Sequence, residues 1–168
     1  ALGLTLYPVV SNWYIGRHQS RIQTEYREVL EQTDSAEIES IRESAVAYNK
    51  TITPGAAEEA YSQASIRLAT EDYVNQLNVS GSGIMGYVEI PKIGVDLPIY
   101  HGTGADSLDR GTGHLLGSSL PVGGESTHTI ITGHSGMASQ KMFTDLEQLR
   151  EGDIFYLHVL DETLAYEV

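Results

Sequence analysis

Six histidines and no cysteine are present in the sequence, and one histidine has a context that favours catalysis. Residues 127–132 alternate as a half-buried strand, and His134 follows them within the run Gly133-His134-Ser135-Gly136. A histidine on the first turn after a strand is held by a rigid scaffold on one side and is open to a cleft on the other. The pattern therefore indicates that His134 is a general acid or base.

Other kinds of site have weaker support in the sequence. Ser135 could be the nucleophile of a hydrolase, but neighbouring residues of an extended segment point to opposite faces, and no G-x-S-x-G elbow is present. His18 and His158 are interpreted as ordinary surface or core groups. The histidines lack zinc-ligand spacing and the glycine-rich segments lack phosphate-binding features, so we expect no metal and no cofactor.

Composition limits the class of protein. The chain has 168 residues, a length suited to one compact domain, and 40% of them are hydrophobic, which can supply a core. Lys plus Arg is 10 against 23 for Asp plus Glu, which gives a formal net charge of −13. Nucleic-acid surfaces require clustered positive charge, so a nucleic-acid partner is excluded.

The pattern changes near Ser80, and we predict a helical region over residues 1–79 and a β-rich region over residues 80–168. Before the boundary, apolar residues recur at helical spacing, and Asp34 with Glu37 resembles a capping box for a second helix. A third helix is predicted to open at Pro54 and to continue towards Leu77. Residues 1–10 are apolar but far short of the ~20 residues of a spanning helix, so they could be the stub of a removed membrane anchor.

The second region predicts a mainly β fold. Its short β-branched and aromatic runs are separated by Gly and Pro, as in a barrel or sandwich. One short helix is predicted over residues 143–149. Six strands are predicted, over residues 84–90, 95–101, 113–117, 127–132, 153–160 and 163–168.

The β region contains a series of short motifs in a fixed order. They are Gly86–Ile93, Leu97–Thr103, Gly113–Leu115, Ser119–Gly124, Thr132–His134, Phe143–Leu146, Gly152–Tyr156 and Leu164–Tyr166. Taken in order, these motifs resemble those of the class C, pilus-assembling sortases of Gram-positive bacteria, and the similarity covers about half of the chain. The helical front end, with Tyr7–Asn12 and Tyr48-Asn49, fits the same class more loosely.

The resemblance implies a closed eight-stranded sortase barrel and a cysteine transpeptidase. Its thiolate would cleave an LPxTG-like sorting signal, and a pilin lysine would resolve the acyl-enzyme into an isopeptide bond. His134 matches the catalytic histidine of the family, whereas neither Arg110 nor Arg150 matches its arginine. The resemblance also implies an extracellular site at the cell membrane. The Asp-Pro-aromatic lid motif of many class C members is absent, so this member is lidless or is covered by another segment, such as residues 61–77.

The predicted strands number six of the eight expected, and the sequence contains neither the cysteine nor the matching arginine. We therefore expect further strands after Val168 that carry both residues, and expect the 168 residues to be inactive alone. Because open sheet edges are normally covered, a segment or domain swap with another chain is a further expectation. The alternative is a non-catalytic fragment that binds sorting signals or acts as a scaffold.

Overall fold

The computed structural model describes residues 21–53, 55–56, 71–136 and 142–168. Residues 1–10, His18 and most of the predicted third helix lie outside this part of the chain, so the predictions made for them stay predictions. In the described residues, no helix is long and apolar enough to cross a membrane.

In the described residues three helical segments precede the sheet, and the second begins where its cap predicts. Residues 21–32 are helical (α1), α2 spans Ser35–Asn49, and the short α3 spans Glu71–Asn75. The carboxylate of Asp34 accepts a hydrogen bond from the N–H of Ala36 at 2.8 Å, which satisfies one of the free donors of the first turn. The acidic residue Glu37 in that turn also suits the positive end of the helix dipole.

Six strands in the described part of the chain form one sheet in the order β4-β3-β2-β1-β5-β6. Neighbouring strands are antiparallel except for β2 and β3, which are parallel. A four-residue helix, α4, spans Ala105–Leu108 and connects that parallel pair. The strands are β1 (Ile84–Ile90), β2 (Val95–His101), β3 (Thr112–His114), β4 (Ile131–Thr132), β5 (Ile154–Val159) and β6 (Glu162–Glu167).

Two strands and one helix differ from the sequence prediction. The strands predicted over 113–117 and 127–132 are shorter, because the chain turns after β3 with the Ser118 N–H bonded to the Leu115 carbonyl at 3.1 Å. Residues 128–130 then meet residues 115–119 through separate hydrogen bonds and not through a ladder. The helix predicted over 143–149 is a turn followed by a 3₁₀ helix, Leu146–Gln148, since so short a segment gains few bonds for the cost of nucleating an α-helix.

The mainly β architecture with a helical front region is confirmed, but the sheet is not closed among the described residues. β4 and β6 are its two edges, and no described strand joins them. The closed barrel expected from the sequence is therefore not seen in this part of the chain. The expected swap with another segment or chain stays a prediction.

One hydrophobic core joins the helices to the sheet. Ile38 and Ala45 from the predicted stripe of α2 pack with Tyr73 of α3 and with inward-facing residues of β1, β2 and β5. On the other face of the sheet, α1 places Tyr26 against Tyr87, with ring centres 5.5 Å apart. The helices thus cover the sheet. The boundary predicted at residue 80 between the helical and the β-rich region stays a prediction.

Candidate active site around His134

The backbone at His134 is fixed by its position just after β4. β4 pairs with β3 so that Thr132 lies opposite Gly113, and the Phe143 N–H donates a hydrogen bond to the His134 carbonyl at 3.0 Å. At Gly133, an added Cβ would lie 2.8 Å from the Phe143 ring. Glycine at this position therefore allows an aromatic ring to pack against the chain immediately before the histidine.

The His134 side chain is 36% exposed, so its ring is supported but accessible to a ligand. Its Nε2 atom lies 3.5 Å from Oδ1 of Asp109, a residue that comes just after α4. This arrangement agrees with the expected surroundings of an acid–base group, which must exchange protons with a bound molecule. Sequence reasoning did not find Asp109, because it lies 25 positions before His134 and only the β3–β4 pairing brings the two together.

Ser135 has no geometry for nucleophilic attack. Its side chain is exposed, and the hydrogen bonds among the described residues include none between Ser135 and His134. The next residue, Gly136, has a φ of 74° and donates its N–H to the Thr144 hydroxyl at 3.1 Å. The turn is thus held through Gly136.

Arg110 and Arg150 both make contacts within the fold. The Arg110 guanidinium carbon lies 4.3 Å from the centre of the Tyr100 ring, a cation–π contact. Arg150 donates from Nη1 to the carbonyls of Glu147 and Leu149 at 2.7 and 2.8 Å. These structural contacts are consistent with the sequence analysis, which assigned no catalytic role to either residue.

A second histidine, His114 in β3, is fully buried and belongs to a structural network. Its Nδ1 lies 2.9 Å from the Tyr73 hydroxyl and its Nε2 lies 2.9 Å from the Ser119 carbonyl. Burial lowers the pKa of His114 to about 4, so the ring is neutral near neutral pH and Nε2 donates to Ser119. The Tyr73 hydroxyl also accepts from the Gly102 N–H at 3.0 Å. The network thereby connects α3 to β3 and to the loop after it.

Two more histidines have structural partners. His101 at the end of β2 has one ring nitrogen 2.9 Å from the Gly83 carbonyl and the other 2.7 Å from the Gln76 carbonyl. His158 on β5 lies 2.7 Å from a carboxylate oxygen of Glu89. The interpretation of His158 as an ordinary group stays a prediction. His101 binds the segment before β1, a role that its sequence context did not reveal.

A cavity among the described residues has a lining that does not include His134. It measures ≈ 980 Å³ and lies between the C-terminal end of α2 and the loop over residues 115–130. On its wall, the Asn49 side chain donates to the Leu120 carbonyl at 3.2 Å and accepts from the Leu120 N–H at 2.7 Å. Within the described residues, no group of three or more His, Cys, Asp or Glu side chains is arranged to hold a metal ion.

Comparison with known proteins places this fold and site in one family. The sortase domain family matches residues 88–168, a range that contains His134. A curated relative, sortase D of Bacillus subtilis (strain 168), is 35% identical over 83 residues. That match spans 49% of this chain and 39% of the relative, so the chain corresponds to about two fifths of that protein's length.

Solved structures agree with the family match. Sortase C1 from Streptococcus agalactiae is 37% identical, with a TM-score of 0.77 over 88% of this chain and 75% of that one. Sortase C-1 from Actinomyces oris is 40% identical, with a TM-score of 0.71 over 79% and 74% of the two chains. A pilus-related sortase C of Group B Streptococcus is 37% identical, with a TM-score of 0.76 over 87% and 73%.

The chain therefore belongs to the sortase family. Within that family its structural relatives are the class C, pilus-related sortases, as the order of its motifs indicated.

Proposed function

We propose that the protein is a cysteine transpeptidase that cleaves an LPxTG-like sorting signal and joins pilin subunits through a lysine isopeptide bond. The observation that carries the proposal is the placement of His134: an accessible imidazole on a backbone fixed by β4 and by Phe143, within the matched sortase domain. The pilus-related sortases among its structural relatives support pilins as the substrate class.

The proposed reaction has two proton transfers at His134. A cysteine thiolate attacks the threonine carbonyl of the signal, the Thr–Gly C–N bond breaks, and protonated His134 gives its proton to the leaving amine. The product is a thioester and a neutral imidazole. A pilin lysine amine then attacks the thioester, His134 takes the proton that the amine loses, and the thiolate leaves.

The nucleophile of this reaction is not among the 168 residues, which include no cysteine. We propose that sequence outside them supplies the cysteine, and with it the arginine that stabilises the oxyanion. The residues described above would then form the histidine side of the cleft. We place the protein at the extracellular face of the cell membrane, where pilins are joined.

The experiment combines the form of the protein that carries the cysteine with an LPxTG-like peptide and a pilin-derived lysine peptide. Mass spectrometry should detect the joined product, with a mass equal to the two peptides less the released glycine fragment. Hydrolysed peptide without joined product would contradict the transpeptidase assignment. Binding of the signal without cleavage would instead support the non-catalytic alternative.

A further inference from the structure

Asp109 is placed beside His134 by the geometry of three described elements. It comes just after α4, and its N–H donates to the Ala105 carbonyl at 2.8 Å, which fixes its backbone. Three residues later β3 begins, and β3 holds β4 with Gly113 opposite Thr132. The carboxylate therefore reaches the ring from the neighbouring chain segment and not from the histidine's own loop.

The contact brings a negative charge to one edge of the ring. Oδ1 of Asp109 lies 3.5 Å from Nε2 of His134, which is long for a hydrogen bond but within ion-pair distance. A carboxylate at this distance favours a proton on the nitrogen that faces it, and so favours one orientation and one tautomer of the ring. Nδ1 is then the nitrogen left to exchange a proton with substrate.

Other charged groups near the site have different arrangements. Among the described charged residues near His134, Asp109 lies within ion-pair distance of the imidazole ring. Arg110, next to it in sequence, packs on the Tyr100 ring, and Asp106 lies on the same short helix with an exposed side chain. The charged residues of these elements are Asp106, Asp109, Arg110, Asp145, Glu147, Arg150 and Glu151.

We propose that Asp109 is a positioning residue for His134, one that orients the ring through Nε2 and leaves Nδ1 to exchange a proton with substrate. Its catalytic consequence rests on the proposed function, but its effect on the ring does not. Asp109 itself exchanges no proton with substrate. Because the Asp109 side chain is 68% exposed, solvent screening limits the effect to the range of exposed ion pairs.

The first test is spectroscopic and needs no turnover. The ring ¹⁵N resonances of His134 report the ratio of the Nε2–H tautomer to the Nδ1–H tautomer. Asp109→Asn keeps the shape and removes the charge, so this ratio should fall about two- to fivefold. Asp106→Asn removes a charge from the same helix and should leave the ratio unchanged. An Asp109→Asn spectrum identical to that of the wild type would overturn the proposal.

The second test uses turnover by the form that carries the cysteine. Asp109→Asn should lower kcat about two- to fivefold with KM for the peptide unchanged, and Asp109→Glu should recover part of the loss. The difference between wild type and Asp109→Asn should vanish at about 1 M salt, where surface charges are screened. A loss independent of salt would show a merely structural role. Altered ring resonances in a protein without transpeptidation would refute the proposed function and leave the positioning role intact.

Discussion

The Tyr73 hydroxyl lies 2.9 Å from Nδ1 of His114, and this buried contact joins α3 of the helical region to β3 of the sheet. The same hydroxyl accepts the Gly102 N–H, while the other nitrogen of His114 donates to the loop that leads towards β4. The network thus extends from the front helices to the loop that leads towards β4 and His134. Its stability can be measured without any substrate.

Tyr73→Phe removes that hydroxyl and keeps the ring. The Gly102 N–H and Nδ1 of His114 then lose a buried partner, so the free energy of unfolding should fall by about 1–3 kcal/mol in urea denaturation. Tyr166, which is half-buried and stacked on Phe155 at 5.3 Å, provides the control. Tyr166→Phe should change the free energy of unfolding by less than about 0.5 kcal/mol. An equal loss in both variants would show that the Tyr73–His114 network does not stabilise the fold.

The pH dependence of stability follows from the buried His114. Burial lowers its pKa from 6.5 to about 4, so between those values the unfolded chain binds a proton that the folded chain does not. The contribution of His114 is therefore complete above about pH 6.5 and is lost as the pH falls towards 4. The loss amounts to roughly 3 kcal/mol.

The direct measurement is the NMR titration of the His114 ring. Its C2 proton should keep one chemical shift from pH 8 down to about pH 5.5. A midpoint near 6.5 would contradict the description of His114 as a desolvated neutral ring.

Asn49 provides a test of the loop before β4. Its amide both donates to and accepts from Leu120, as a neighbouring strand would. Asn49→Ala should cost about 1–2 kcal/mol and should speed hydrogen exchange at the Leu120 amide. Lys50→Ala, one residue further along on the same cavity wall, removes no such bond and should leave that exchange rate unchanged. Unaltered exchange in Asn49→Ala would show that other contacts fix the loop.

Gly113 and Gly104 form a matched pair for the packing around β3. A Cβ at Gly113 would lie 2.2 Å from the Gly102 carbonyl oxygen, whereas one at Gly104 would meet nothing within 4 Å. Gly113→Ala should lower the thermal midpoint by an amount equivalent to about 1–3 kcal/mol, because backbone must move. Gly104→Ala should have little effect. A tolerated Gly113→Ala would mean that β2 and β3 are less closely packed than described.

The sequence predicted parts of the fold that depend on neighbours along the chain. β1 and β2 begin and end where predicted, since their apolar runs are separated by a tight turn at Pro91–Gly94. β3 and β4 have three and two residues, too few for a periodic pattern, and their extent depends on pairing with distant segments. The position of His134 after a strand was predictable, but its Asp109 neighbour depends on the Gly113–Thr132 pairing.

The central claim is that His134 carries the proton transfers of a transpeptidase, and cleavage of an LPxTG-like peptide by a single-residue variant tests it most directly. In the form that carries the cysteine, His134→Ala should lower kcat/KM by about 10²–10⁴. The control His128→Ala, an exposed histidine six residues earlier, should retain wild-type activity, and both variants should keep the wild-type circular dichroism spectrum. Cleavage by His134→Ala at the wild-type rate would contradict the account.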